Sequence, residues 1–528
     1  MRKLHLLRAI ACMLILTYSC EKNQIEILPP APEEEKENAE LTNAWRDNPY
    51  KLNVIYFVPT DVDTVPNFKK RLSDILLFAQ NEFADNMDRE GYGRKSFGLD
   101  LISDQMINII YLKGKFAKAT YPYEGGSGAV KKEVDAYFTE HPSSKKSEHN
   151  LIIIPTYTTE DPNSPGGPPF YGTGTTCYAL DYANLDRKNL GIGGTTGWKA
   201  TVWIGGLLHE LGHGMNASHN KMNKSLQSTL GTALMGAGNS TYGISTTSLT
   251  SATAATFNTS QVFSTETRTD WYSPVDFELK TLRSSVENNK IVVEGSFTTN
   301  KTVNEVVVWH DKTPYGSNND YDAVQWVAKV GANNTFKLEC PLTDFYELSG
   351  DYQLRLGFMH VNGTRSTENF LYTFNNNIPN LQEVVLHTFL PTAGWTIVDK
   401  DSEENDGKAS NVLDNNRNTF WHTEWKSSQP IQPHFFAIDM GAAITAKGVS
   451  FRNRDNLNGA LKDIKIYTSQ NGTTWTIEKE VQLPKSAKSW INVNFDAPVS
   501  TRYFKIESTS SWGDFYYSNL ADFAVFND

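Results

Sequence analysis

The chain has 528 residues, enough for three or four domains at about 150 residues each. A 39% hydrophobic share and a mean hydropathy of −0.45 exclude a polytopic membrane protein, while 12% aromatic residues supply a core that a disordered chain lacks. The net charge of −11 argues against nucleic acid as a partner, and four cysteines are too few for a disulfide-built scaffold.

The first segment reads as an address. Arg2, Lys3 and Arg8 precede an apolar run over residues 9–17 that is too short to span a bilayer. The run ends Leu16-Thr17-Tyr18-Ser19-Cys20. This resembles a bacterial lipobox, in which the cysteine is lipidated and becomes the first residue of the mature protein. Ordinary signal cleavage, with Cys20 a bystander, is the alternative. The lipobox implies a signal peptide over residues 1–19 and a lipid-anchored, surface-exposed protein of the outer membrane. Residues 20–50 then form an acidic tether containing Pro29-Pro30 and Glu33-Glu34-Glu35, with little to bury. Cys177 and Cys340 stand far apart and are expected to be unpaired.

Residues 51–272 read as α/β. Residues 53–58 and 151–154 are apolar runs of buried-strand type, and Leu72, Ile75, Leu76, Ala79 and Phe83 recur at helical spacing. Residues 130–138 read as a second helix and residues 176–182 as a further strand. A Gly/Thr-rich loop leads into a helix over residues 198–214, and the end of that helix carries the chemistry.

It reads His209-Glu210-Leu211-Gly212-His213, with His219 six residues on. Positions i and i+4 share a helix face, so His209 and His213 can aim ring nitrogens at one ion. Three histidines leave a fourth tetrahedral position for water, and Glu210 stands ready to take its proton. A chance HExxH in such a chain has a probability of roughly 1%. A structural zinc site would usually close with a fourth ligand, often cysteine, and none is near.

The extended string HELGHGMNASH resembles the metzincin metallopeptidase motif HExxHxxGxxH, with Asn216 where that family has glycine. Asparagine is the next most tolerant residue in left-handed backbone. The resemblance implies a zinc endopeptidase with His209, His213 and His219 as ligands and Glu210 as general base. It also implies Met235 as the methionine turn beneath the metal and Tyr242 as a candidate for stabilising the oxyanion. An extended substrate would add to an edge strand, for which residues 176–182 are the expected edge.

Residues 273–380 have short strands at sandwich-like spacing and read as an Ig-like or fibronectin-like module without a site, acting as a spacer. In residues 383–528 the order of motifs (ASNVLDNNRNTFWHTEW, FRNRDNLNG, IKIYTSQNGTTW, RYFKIE) resembles the discoidin, or F5/8 type C, fold. Its bacterial members are commonly carbohydrate-binding. That resemblance implies sugar contacts from His422, Arg454 and Asn458, with Trp512 or a neighbouring aromatic as stacking platform. It also implies a structural Ca²⁺ near Asp414, Thr419 and Asp522. Trp421 and Trp475 are expected in the core, and residues 399–406 read as a solvated loop.

The expected architecture is multidomain: an α/β zincin-type catalytic domain, an Ig-like sandwich and a discoidin-like sandwich. Two functions remain open. One is a surface-tethered zinc endopeptidase acting on glycoproteins such as mucins, guided by its sugar-binding module. The other is an inactive zincin-domain lipoprotein that binds glycans as an adhesin; the intact Glu210 favours the first. Glycoside hydrolysis would need a placed carboxylate pair, and no such motif is recognisable.

Overall fold

The computed structural model describes residues 44–528 apart from 159–165, 313–319, 382–383, 417 and 487–489. Cys20 and the rest of the targeting segment and tether up to residue 43 lie outside the described residues.

The first part is built on a five-stranded sheet. In chain order its elements are β1 (Asn53–Val58), α1 (Phe68–Arg89), β2 (Ile110–Lys113), α2 (Ser127–Glu140), β3 (Asn150–Pro155), β4 (Tyr171–Thr173), β5 (Thr176–Asp181), α3 (Gly194–His213) and α4 (Ser251–Asn258). The strand order is β2-β1-β3-β5-β4, parallel throughout except for β4, which runs antiparallel at the edge. Alternation explains why β1 and β3 are apolar without a break. Val54, Tyr56, Leu151 and Ile153 face the core shared with α1 and α3, while Ile55, Phe57, Ile152 and Ile154 face the core under α2. At the end of β5, Asp181 receives a two-pronged ion pair from Arg71 of α1 at 2.9 and 3.0 Å and a hydrogen bond from the Tyr56 hydroxyl at 2.9 Å. A buried carboxylate needs such partners.

Helix α3 begins at Gly194 rather than at Trp198; Gly194, Thr195 and Thr196 of its first turn are exposed and so give no periodic apolar signal. The edge strand also differs from expectation. Residues 176–181 are an interior strand, paired with β3 on one side and β4 on the other; the true edge is β4. The apolar content of β5 reflects burial on both sides, and the shorter Tyr171-Gly172-Thr173 gives little periodic signal.

The second part has two facing sheets. One is β6 (Phe277–Glu287), β7 (Lys290–Thr299) and β10 (Thr335–Pro341). The other contains β8 (Val303–Asp311), β9 (Val324–Lys329), β11 (Gly350–His360), β12 (Arg365–Asn375) and β13 (Ile378–Asn380), in the order β9-β8-β11-β12-β13. Val306 and Val308 of β8 point into the sandwich core, and Val307 and Trp309 into an apolar seam with Ala252 and Ala255 of α4. The sandwich is therefore packed against the first part, which a mere spacer would not need.

The third part is a six-stranded sheet of β14 (Thr396–Lys400), β15 (His434–Arg452), β16 (Asp463–Ser469), β17 (Thr476–Gln482), β18 (Trp490–Ser508) and β19 (Asp522–Phe526). Its core includes Trp421, whose indole N–H donates to the Ser402 carbonyl at 3.0 Å. Trp475 is half-exposed and stands outside that core, contrary to expectation. Cys177 and Cys340 are buried and free.

Candidate metal centre and sugar site

The end of α3 is held from below. His209 donates from Nδ1 to the Leu234 carbonyl at 2.7 Å, and His213 from Nδ1 to Ala217 at 2.8 Å. A carbonyl can only accept, so each Nδ1 carries the proton and each Nε2 is left with its lone pair. Burial and the neighbouring imidazoles push His209 down to about 3 and His213 to about 4, which keeps both rings neutral at pH 7. The three Nε2 atoms of His209, His213 and His219 form a triangle with sides of 3.2, 2.9 and 3.2 Å. Nitrogens sharing one tetrahedral ion at about 2.0–2.1 Å lie about 3.3 Å apart. The donor set and its spacing therefore fit a zinc ion. Among the described residues this is the one cluster of three or more His, Cys, Asp or Glu able to hold a metal.

Met235 is buried beneath this helix end: a Cβ placed on Gly212 would stand 2.2 Å from its Sδ. The glycine between Leu211 and His213 is thus required by close approach. On the other side of α3, a Cβ on Gly172 of β4 would meet the Cβ of His213 at 2.3 Å. The Glu210 carboxylate accepts the Gly172 backbone N–H, while burial pushes its carboxyl up to about 8. Edge strand, general-base candidate and the histidines able to hold a metal are in this way in direct contact. His149 secures the same end of α3 by donating from Nδ1 to the Gly214 carbonyl at 2.7 Å and accepting from the Tyr272 hydroxyl at Nε2.

Asn216 adopts φ 69°, the left-handed conformation in which glycine is expected. Asn216→Gly is therefore expected to keep zinc affinity and activity within about twofold. Asn216→Val, whose branched Cβ resists positive φ, should cost about 1–3 kcal/mol and weaken zinc binding. Equal zinc affinities for both variants in a competition titration would contradict this.

Tyr242 is a correction. It is buried beside Gly205, one turn before His209, and the charges that it feels are those of Glu82 and Arg187. It is a core residue and does not reach the metal centre. The tyrosine that does is Tyr321, from the turn before β9. Its ring lies 3.9 Å from that of His219 at 24° and 6.4 Å from that of His209 at 11°. Tyr123 and Tyr171, packed edge-to-face at 6.0 Å, also stand near Glu210. Nothing in the chain order around HELGHGMNASH pointed to Tyr321, which arrives from a different sheet.

In the third part, His422 sits in an aromatic nest. Its ring is 4.9 Å from Tyr517, 6.2 Å from Trp425 and 6.4 Å from Phe420. The Arg454 guanidinium covers Phe420 at 3.8 Å, and exposed Asn458 is tied through its carbonyl to Asn519 at 2.7 Å. Glu404 accepts the Trp425 and Lys426 backbone N–H groups at 3.0 and 2.9 Å, so the segment read as a solvated loop instead braces this nest. Trp512 does not join it: its indole N–H donates to Leu483 and Lys462 covers its ring at 5.2 Å. The exposed platform is Trp425, with Tyr517 beside it, and the pattern His422-x-x-Trp425 was its available signal. A cavity of about 540 Å³ between Phe277, Arg365, Phe420 and Arg454 adjoins the nest.

Of the expected calcium set, Asp414 and Thr419 stand side by side and Asp522 is buried. Thr419 donates its hydroxyl to Asp414 at 2.7 Å, closing a turn, and Asp522 faces the Arg452 guanidinium at 4.0 Å.

Comparison with known proteins sharpens this picture. The crystal structure of catalytically inactive OgpA from Akkermansia muciniphila, in complex with an O-glycopeptide (glycodrosocin) substrate, matches at 37% identity. It covers 63% of this chain and 95% of OgpA, with a TM-score of 0.61. The chain belongs to the OgpA family. Wild-type OgpA gives 38% identity over 63% of this chain and 96% of its own, with a TM-score of 0.60. Residues 397–522 match the F5/8 type C domain, so the discoidin assignment holds. A sialidase of Micromonospora viridifaciens is 47% identical over 91 residues, 16% of this chain and 14% of the sialidase. A galactose oxidase of Gibberella zeae is 30% identical over 111 residues, 20% of this chain and 15% of the oxidase. The chain spans about one seventh of the length of these curated relatives.

Proposed function

We propose that this OgpA-family protein is a zinc-dependent endopeptidase that cuts O-glycosylated proteins such as mucins. In this reading it is lipid-anchored through Cys20 at the outer surface of the cell envelope and guided by its C-terminal sugar-binding module. The observation that carries the reading is the Nε2 triangle of His209, His213 and His219 beside Glu210 and an edge strand. The O-glycopeptide substrate of OgpA supports the choice of substrate class.

What zinc supplies when bound is Lewis-acid polarisation at the scissile carbonyl. The protein does the rest. Strand β4 offers its outer backbone groups to an extended peptide, which fixes the scissile bond near Glu210. Glu210 takes the proton of the attacking water and delivers it to the leaving amine. Its place against Gly172 keeps the carboxylate at the edge where that substrate lies. His422, Trp425, Arg454 and Asn458 hold a sugar, with the indole as stacking face and the polar groups as hydroxyl partners. Sugar capture raises the local concentration of glycoprotein without touching the metal centre.

The test is incubation of the purified chain with mucin before and after enzymatic deglycosylation, each with and without a zinc chelator. Cleavage of glycosylated mucin alone, lost with the chelator and restored by zinc, is the expected result. Mucin binding without cleavage under any condition would establish the adhesin reading instead.

A further inference from the structure

His219 differs from the other two histidines of the triangle. His209 and His213 are carried by helix α3, whereas His219 arrives on a loop. That loop is bound along its length by the β-sandwich. Arg365 of β12 donates from Nη1 to the Ser218 hydroxyl at 3.0 Å. The Lys221 N–H donates to the Ala323 carbonyl at 2.7 Å. Asn223 and Gln325 exchange two hydrogen bonds at 2.9 and 3.0 Å, and the Tyr346 hydroxyl donates to the Met222 carbonyl at 2.9 Å. Gln325 also reaches α4, accepting from Ser251 and Ala252 at 2.7 and 2.9 Å. Between these ties the ring of Tyr321 lies on His219, and the Asp320–Arg355 ion pair at 2.7 Å anchors the preceding residue.

We propose that the β-sandwich is a working part of the metal centre, with Tyr321 as a positioning residue that holds the His219 imidazole in its metal-binding orientation. The inference rests on the zinc reading above. The physical basis is that a ligand on a loop lacks the backbone restraint of a helix, and a ring stacked at 3.9 Å narrows the orientations open to its imidazole. Contacts one layer out from metal-bound histidines typically change metal affinity about 10–100-fold. The flat face of the aromatic ring does this work, so phenylalanine should substitute for tyrosine.

The experiment uses the full chain with Tyr321→Phe and Tyr321→Ala and does not depend on peptidase activity. Zinc release to a chromophoric chelator and the visible spectrum of the cobalt-substituted protein are the two readouts. Tyr321→Phe is expected to match the parent within about twofold, while Tyr321→Ala releases zinc about tenfold faster and shifts the cobalt bands. The ring is 42% exposed, so thermal unfolding of the metal-free variants should coincide with that of the parent. Parent-like release and spectrum in Tyr321→Ala would overturn the proposal. So would a Tyr321→Phe variant as impaired as Tyr321→Ala, since the hydroxyl would then be the active group. A parent chain that takes up neither zinc nor cobalt would remove the zinc reading itself, and the proposal with it.

Discussion

Glu210→Gln is expected to lower kcat/KM on an O-glycopeptide by about 10³-fold or more while leaving one zinc bound per chain. Glutamine keeps the length of the side chain and an oxygen that can accept the Gly172 N–H, so the packing between α3 and β4 survives. What is lost is the ability to take a proton. General acid–base groups typically contribute about 10²–10⁴-fold, and here one group serves both the attack and the departure of the amine. The three histidines are untouched, because Glu210 faces the edge strand through Gly172 and the Nε2 triangle is made by the histidines alone. Metal analysis and peptide cleavage on the same preparation separate the two effects. Loss of zinc together with activity would mean that Glu210 maintains the site's structure, and retained cleavage would remove it from the chemistry.

The parts of this site that are local in sequence were legible in it. HELGHGMNASH puts the three histidines of the triangle and Glu210 within eleven consecutive residues, and Asn216 carries its backbone conformation in its own identity. The two-faced apolar strands were readable for a similar reason, since burial on both sides leaves a run without polar interruption. Residues brought in by tertiary packing were not readable. Tyr242 and Tyr321 are chemically alike; one enters the core beside Gly205 and the other rests on His219 because the sandwich docks on α4. Glu404 misled for the opposite reason. An acidic run has the composition of solvent-exposed loop, yet its carboxylate is spent on two backbone N–H groups under the aromatic nest. Trp512 and Trp425 likewise could be told apart only by where their neighbours fell.

His422→Ala and Trp425→Ala are expected to slow cleavage of a glycosylated protein at low concentration while leaving a short unglycosylated peptide substrate within about twofold. The cause is effective concentration. A module that captures a sugar turns the encounter of the metal centre with its substrate into an intramolecular event, and such linkage can gain about 10²–10⁴-fold. The gain exists only below saturation, so the variants should raise KM for the glycoprotein by about 10²-fold and leave kcat alone. Two variants are needed because they fail differently. His422 is 8% exposed with Nδ1 bonded to the Thr423 carbonyl, so its truncation can loosen the module. Trp425 is 42% exposed and can be removed with little loss of core. A matched KM effect from both, with unchanged unfolding for Trp425→Ala, assigns the loss to sugar capture. An unchanged KM for the glycoprotein in both variants would show that the nest does not recruit substrate. An equal slowing of the unglycosylated peptide would place the damage in the fold shared with the metal centre.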